Sequence, residues 1–415
     1  MRATIRIEVE IRICPAILSQ RGTMKELRLL VLADDLTGAM EVGSQFASRG
    51  ISSILTSESS LEPRGMGEAA QALVIDTETR HVSAMEAGKK VYRFACAARE
   101  LGIRLLFKKT DSTLRGNIPG EIRALMSAFP AVPVVFAPAY PRMGRIVRDG
   151  VLYVHGIPVS ETEFGRDRLN PVKDSDIPGL FKQLVPGLQV IVTRPGEVGL
   201  TSKAVVCIVD GETEEDLQAA AEGIARIDGP ALSAGTAGLA GHLAECLPLE
   251  RSTPGAWPSI GSCLVVNGSL HDASLRQLDC ALSAGWILSA PEGIVRDLGV
   301  HRWVLTKLSD FSTLAGEPLA AHVGSRVADI VRRARPDALI VSGGDTAMGI
   351  LRALGVTVLR PLGEIVPGVA MAVVEEVIPD AGGGRGKQGL VLITKAGGFG
   401  PPNVLVQVRA LIGRP

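Results

Sequence analysis

Short apolar runs alternate along this chain with longer stretches whose apolar positions recur every three or four residues. Runs of the first kind predict strands at Leu29–Ala33, Ser53–Thr56, Ala72–Asp76, Leu105–Lys108, Val132–Ala137 and Gln189–Val192. Stretches of the second kind predict helices at Gly38–Ser48, Ser83–Glu100, Ile118–Ser127 and Glu214–Ile227. Further strand-like runs begin at Cys263, at Ala338 and at Leu390. Alternation of this kind is the signature of α/β architecture, and it predicts two domains, each a largely parallel, Rossmann-like sheet between two layers of helices. The segment Glu245 to Ser262 carries three prolines and no periodicity. We therefore place one domain at 24–248, a linker at 249–262 and a second domain at 263–415. Residues 1–23 alternate charged with apolar residues, lack the continuous apolar centre of a signal peptide, and read as an extension ahead of Met24.

Composition narrows the class. A chain of 415 residues exceeds the usual size of one core, which favours two. Forty-four basic and 44 acidic residues cancel, and only 4% are aromatic, so neither a basic footprint nor stacking platforms mark a nucleic-acid partner. The six cysteines are scattered with no CxxC pair, as expected of reduced thiols in a cytoplasm, and the six histidines show no HxxxH or HExxH spacing. No uninterrupted apolar window of membrane-spanning length occurs.

The most informative chemistry lies near the carboxyl end. Ala338–Val341 reads as a buried strand entering a turn, Gly343, Gly344, Asp345 and Thr346, that opens a helix. Glycines permit the tight backbone, and a helix N-terminus offers unpaired N–H groups to an anion. GEIVPG, from Gly363 and Glu364 through Ile365, Val366 and Pro367 to Gly368, reads as a second such turn. KAGGFG, with Lys395, Gly397 and Gly398, reads as a third. An isolated glycine pair often does no more than close an αβ turn, but three in succession point to a nucleotide or another phosphorylated ligand. No Walker A loop is present: the pair Gly386-Lys387 has Ala381 where a glycine is needed and Gln388 where a hydroxyl is needed. A GxGxxG fingerprint is also absent, which disfavours an NAD-linked oxidoreductase.

In parallel sheets ligands gather beyond the carboxyl ends of strands. That rule selects Asp34 and Asp35 after the first strand, the loop Lys108 to Arg115, and Pro138 to Arg148. Asp34-Asp35 could also be a turn and helix cap, and Lys108-Lys109 a solvated face. Lys109, Asp111, Ser112 and Arg115 together suit a small polyhydroxy acid: a guanidinium forks onto a carboxylate, and a carboxylate accepts from hydroxyls. His155, in VLYVHGIPV, reads as a structural histidine within a strand.

The segments ADDLTGAMEVG, KKTDSTLRGNIPGEI, APAYPRMGRIVRDGVLYVHGIPVSETEFGRDRLNPV, SAGTAGLAGHLA, VVNGSLHDASLRQ, SGGDTAMGIL, GEIVPG and KAGGFG, in this order and at these separations, resemble the four-carbon acid sugar kinase family. The resemblance runs from about Leu29 to Leu411 and implies an amino-terminal sugar-acid domain and a carboxyl-terminal nucleotide domain. It implies ATP-dependent phosphorylation of a terminal hydroxyl, with ETEFGRDRLNPV nearer the D-threonate branch than the 3-oxo-tetronate or D-erythronate branches. One departure is Leu270-His271, where many relatives carry small residues. By motif, Ser269, Gly343 to Thr346, Gly363 to Gly368, Lys395, Gly397 and Gly398 should contact ATP, while Asp34, Asp35, Lys109, Asp111, Ser112 and Arg115 should face the acid. On this reading Arg115 grips the substrate carboxylate with help from Lys109. Asp35, or failing it Asp34 or Asp111, orients or deprotonates the hydroxyl, and Asp345 serves Mg2+. The partners are then a small sugar acid and ATP, with no nucleic acid and no membrane; a homodimer is left open, as is a non-catalytic regulatory protein that binds the same ligands.

Overall fold

The computed structural model describes residues 27–57, 70–167, 169–199, 205–269, 271–290, 293–307, 317–379 and 389–413. The expected extension at 1–23, Met24, Leu270 and the Gly386-Lys387 pair lie outside these residues. Among the described residues, eleven strands occupy the first half: β1 (Leu29–Ala33), β2 (Ser53–Ser57), β3 (Ala72–Asp76), β4 (Leu105–Lys109), β5 (Val134–Ala137), β6 (Arg145–Arg148), β7 (Val151–Val154), β8 (Ile157–Pro158), β9 (Val190–Thr193), β10 (Val206–Val209) and β11 (Ala231–Gly235). The second half adds β12 (Cys263–Asn267), β13 (Ile287–Leu288), β14 (Trp303–Lys307), β15 (Ala338–Ser342), β16 (Val358–Val366), β17 (Val369–Val374) and β18 (Val391–Lys395).

The two expected sheets are halves of one. Its order is β13-β14-β12-β15-β18-β17-β16-β2-β3-β1-β4-β11-β5-β10-β9, and β6, β7 and β8 form a separate antiparallel sheet. Every pairing within the first half of the large sheet is parallel, as are those joining β12 to β14 and β15, β13 to β14, and β15 to β18. Helices cover both faces, which is why β1, β12, β15 and β18 are apolar almost throughout and buried at every position. The halves meet where β2 and β16 run antiparallel, pairing Thr56 with Val358 and Leu55 with Leu359, and the Thr56 hydroxyl donates to the Thr357 carbonyl at 2.8 Å.

The helix Leu36–Ala47 ties the halves together. It packs on β1 and β2 of its own half and on β16 and β17 of the other, and Leu36 through Phe46 are all buried. Its small residues allow this: a Cβ on Gly43 would stand 2.6 Å from Pro361 Cγ of β16. Apolar packing around Met40, Val42 and Phe46 anchors it. Two sequence expectations change here. GEIVPG is not a turn leading into a helix: Gly363 to Val366 close β16, and Pro367-Gly368 turn the hairpin into β17. His155 sits past the end of β7 in a hairpin turn at φ +50°, exposed, with its ring over Gly144.

Candidate functional site

In the first half the chain runs from β1 to β2 and β3 on one side and to β4 on the other, so the sheet changes direction between β1 and β4. A crevice opens beyond the carboxyl ends of two such strands. Asp34 and Asp35 leave β1 there, and Lys109 to Asp111 leave β4. Asp35 caps the helix Leu36–Ala47, its Oδ1 accepting from the Gly38 N–H at 2.8 Å. The cap expected as the plain alternative is therefore real, and the same carboxylate's Oδ2 accepts from Arg80.

Arg80 organises the crevice. Its Nε donates to Asp34 Oδ2 at 2.7 Å, a second nitrogen donates to Asp35, and Nη2 lies 3.6 Å from Asp111 Oδ1. Burial opposes ionisation of Asp34 and Asp111. Arg80 with the two lysines outweighs it at Asp34, and Arg115 with Arg80 at Asp111, holding both carboxyls below the usual range. At Asp35 burial wins, aided by Asp34, and its carboxyl is pushed up despite Arg80. Asp34 Oδ1 is buried and has no hydrogen-bond partner.

Arg115 is not the free fork expected. Its Nε and Nη2 donate to Asp111 at 3.1 and 2.8 Å, Nη1 reaches Asp167 Oδ2 at 3.4 Å, and its guanidinium lies over the Phe164 ring. Asp111 also accepts from the Thr113 N–H, in a buried turn shared with Ser112. Lys108 and Lys109 are both buried, so neither belongs to a solvated face. Lys108 lies 3.1 Å from Glu121 Oε2. Lys109 donates to the Thr110 carbonyl and lies 3.7 Å from Glu41 Oε2. Burial pushes the Glu41 carboxyl up to about 7, against the pull of Lys109.

The second half has its own reversal, between β12 and β15. Beyond it stand Ser269 and the turn from Gly343. Gly343 adopts φ +109°, open only to glycine at low cost, and the helix Gly344–Leu354 begins without a side-chain cap, so its first N–H groups remain for an anion. Thr346 closes over Gly268, where any Cβ would overlap its hydroxyl, and Gly397 lies equally close beneath Ser269. Gly398 faces the His271 ring. The Lys395 ammonium is buried and donates to the carbonyls of Ala396 at 2.8 Å, Phe399 at 3.2 Å and Gly397 at 3.3 Å, shaping the loop from beneath. Burial draws its pKa down to about 7. Glu364 accepts from the Gly368 N–H at 2.7 Å and, across the halves, from Gln45 Nε2 at 3.0 Å.

The two crevices face each other. A Cβ on Gly344 would stand 2.8 Å from Thr37 Oγ1 and 3.5 Å from Asp35 Oδ2. Asp345, exposed in the first turn of the same helix, lies 3.7 Å from His81 Nε2 of the first half. The structure thus brings Asp34, Asp35, Lys109, Asp111 and Arg115 into one crevice and sets Gly344 and Asp345 against its rim. The sequence rule passed over Arg80 and Glu41. Arg80 follows β3, a fourth strand end to which that rule applied equally, and Glu41 is a carboxylate among the small and apolar positions of ADDLTGAMEVG.

Comparison with known proteins matches residues 29–243 to a sugar-binding N-terminal domain and 304–405 to a nucleotide-binding C-terminal domain. D-threonate kinase of Bordetella bronchiseptica is 31% identical over 413 residues, covering 92% of this chain and 96% of that protein. D-threonate kinase of Salmonella typhimurium is 30% identical over 427 residues, covering 91% and 97%. 3-Oxo-tetronate kinase of Escherichia coli is 29% identical over 276 residues, covering 61% and 69%. Two crystal structures share the fold. One, from Salmonella typhimurium LT2, has a TM-score of 0.73 at 21% identity over 92% of this chain and 98% of that one. The other, from Haemophilus influenzae, has 0.67 at 19% over 92% and 100%. With both family domains matched in order and full-length relatives at this identity, the chain belongs to the four-carbon acid sugar kinases, ATP-dependent enzymes that phosphorylate sugar acids.

Proposed function

We propose that this chain transfers the γ-phosphoryl group of ATP to the terminal 4-hydroxyl of D-threonate, in preference to D-erythronate or 3-oxo-tetronate. Two relatives at 30–31% identity that span nearly the whole chain, both named D-threonate kinase, support that order. The observation that carries the reading is the apposition of Gly344, at an uncapped helix N-terminus, with Asp35 and Thr37 at the end of β1. Phosphoryl transfer asks for an in-line pair of reactants, a neutralised phosphoryl group and an oriented hydroxyl. A phosphate seated on the N–H groups of Gly344 to Thr346 would lie beside Asp35, whose Oδ2 stands 3.5 Å from the Cβ position of Gly344.

Asp35 then accepts the hydroxyl proton or orients the hydroxyl, held in place by the Gly38 N–H and by Arg80. Asp111, Ser112 and Lys109 line the acid's remaining oxygens, and Arg115 adds the N–H groups it does not spend on Asp111 and Asp167. Ser269, Gly397, Gly398 and the Gly363 to Gly368 hairpin enclose the nucleotide, with Lys395 bracing the glycine loop. Among the described residues no group of three or more His, Cys, Asp or Glu side chains could cage a metal. A lone exposed carboxylate at the phosphate end nevertheless suits Mg2+, which keeps its waters and phosphate oxygens and takes one or two carboxylates. Asp345 is that carboxylate. Bound Mg2+ would supply charge neutralisation on the phosphates.

The test is ADP release with D- and L-threonate, D- and L-erythronate and their oxo forms. D-threonate should give the highest kcat/KM; a higher value for another acid reassigns the substrate. Binding of the acid without ADP release would instead mark a regulatory protein.

A further inference from the structure

Three arginines approach the first crevice, and two of them are already paired with carboxylates. Arg145, the first residue of β6, is the third. It is 6% exposed, its Nε is buried without a hydrogen-bond partner, and it makes no ion pair among the described residues. Its guanidinium donates to the Met143 carbonyl and lies over the Phe399 ring of the KAGGFG loop, 4.8 Å from the centroid. Asp111, Glu163 and Glu41 are the carboxylates whose fields reach it. An arginine withdrawn from water without an anion is strongly disfavoured unless an anion arrives. Here the side chain springs from the sugar-acid half and touches the glycine loop of the nucleotide half. It therefore stands where both reactants, each carrying anionic oxygens, must come together.

We propose that Arg145 is an anion receptor of the reaction, its guanidinium binding anionic oxygens of a reactant, either the carboxylate of the sugar acid or the phosphoryl group of ATP. The proposal rests on the kinase reading above and adds to it a residue that spans the two halves. Stacking on Phe399 fixes the plane of the guanidinium, and its Nε has no protein partner to satisfy it. Arg80 and Arg115 hold acidic side chains in place, whereas Arg145 answers to the ligand.

The experiment compares full-length wild type with Arg145→Ala, Arg145→Lys and, as a control, Arg148→Ala, an exposed arginine of the same strand paired with Glu212. For Arg145→Ala, kcat/KM should fall by about 100-fold, Arg145→Lys should recover part of it, and added guanidinium should partly restore the alanine variant. Arg148→Ala should match wild type. A rise confined to KM for the acid identifies the carboxylate as the bound group, and a fall in kcat with both KM values held identifies the phosphoryl group. Calorimetry of each variant with the acid and with ATP reads binding independently of turnover. Wild-type kinetics and binding of both reactants in Arg145→Ala overturn the inference, as does a loss of thermal stability with neither changed. Absence of ADP release by wild type itself fails the kinase reading alone, since the binding comparison still decides on Arg145.

Discussion

Gly344 stands so close to Thr37 that a methyl group on the glycine would reach within 2.8 Å of the threonine hydroxyl. The helix that should cradle phosphate and the helix that follows Asp35 are thus fitted to each other across the two halves. Gly344→Ala should force them apart, at a cost of about 1–3 kcal/mol and a fall in kcat of at least about tenfold. Thr37→Ala in the same chain should restore part of the loss. Steady-state kinetics of the single and double variants check this, and a Gly344→Ala enzyme with wild-type kcat would refute it.

Asp35→Asn separates the two duties of that side chain. Asparagine keeps one oxygen to cap the helix through the Gly38 N–H, but its amide replaces the oxygen that accepts from Arg80, so a modest loss of thermal stability, about 1–2 kcal/mol, should accompany the change. It cannot take a proton, and kcat should fall by about 100-fold or more. Undiminished turnover would move the base elsewhere, with Glu41 and Asp111 next to be tried.

Arg80 holds Asp34 and Asp35 and lies near Asp111. Arg80→Ala leaves the first two without their shared cation, and urea unfolding should show a loss of about 3–5 kcal/mol. Arg80→Lys cannot fork onto both and should recover only part of it. A loss below about 1 kcal/mol would mean that water already reaches these carboxylates.

Glu41 sets a pH dependence. Its carboxyl shifts from 4.5 to about 7, so the folded chain holds a proton that the unfolded chain has released. Stability from this group is therefore complete below pH 4.5 and declines as pH rises to about 7. Relative to wild type, Glu41→Gln should gain stability across that window by about 3 kcal/mol and no more above it. Paired melting curves between pH 4 and 8 check this; a constant difference would refute it.

Most of this architecture can be read from the chain because buried parallel strands announce themselves. LLVLA, CLVVN and ALIVS fall where the apolar runs lie, with ends within a residue or so. GEIVPG misled because glycine and proline mark a hairpin as readily as a phosphate turn, and only the pairing of β16 with β17 tells them apart. Arg115 shows a different limit: local sequence tells which charges are available, but not how much of each is already committed to a neighbour. Asp167, which takes part of that guanidinium, is 52 residues away. Arg80 lies just past β3, where the strand-end rule could have found it, and Arg145 lies inside the selected stretch Pro138 to Arg148; their contacts with Asp34, Asp35 and Phe399 on other segments could not be read locally.

The junction of β2 with β16 constrains how this protein can be dissected. Cutting the chain at residues 249–262 would not yield two independent modules, because each piece would carry a newly bared strand, Ser53–Ser57 on one and Val358–Val366 on the other. Such raw borders recruit foreign strands. An isolated sugar-acid half should therefore self-associate or precipitate, while the two pieces produced together should zip back along that border into one soluble particle.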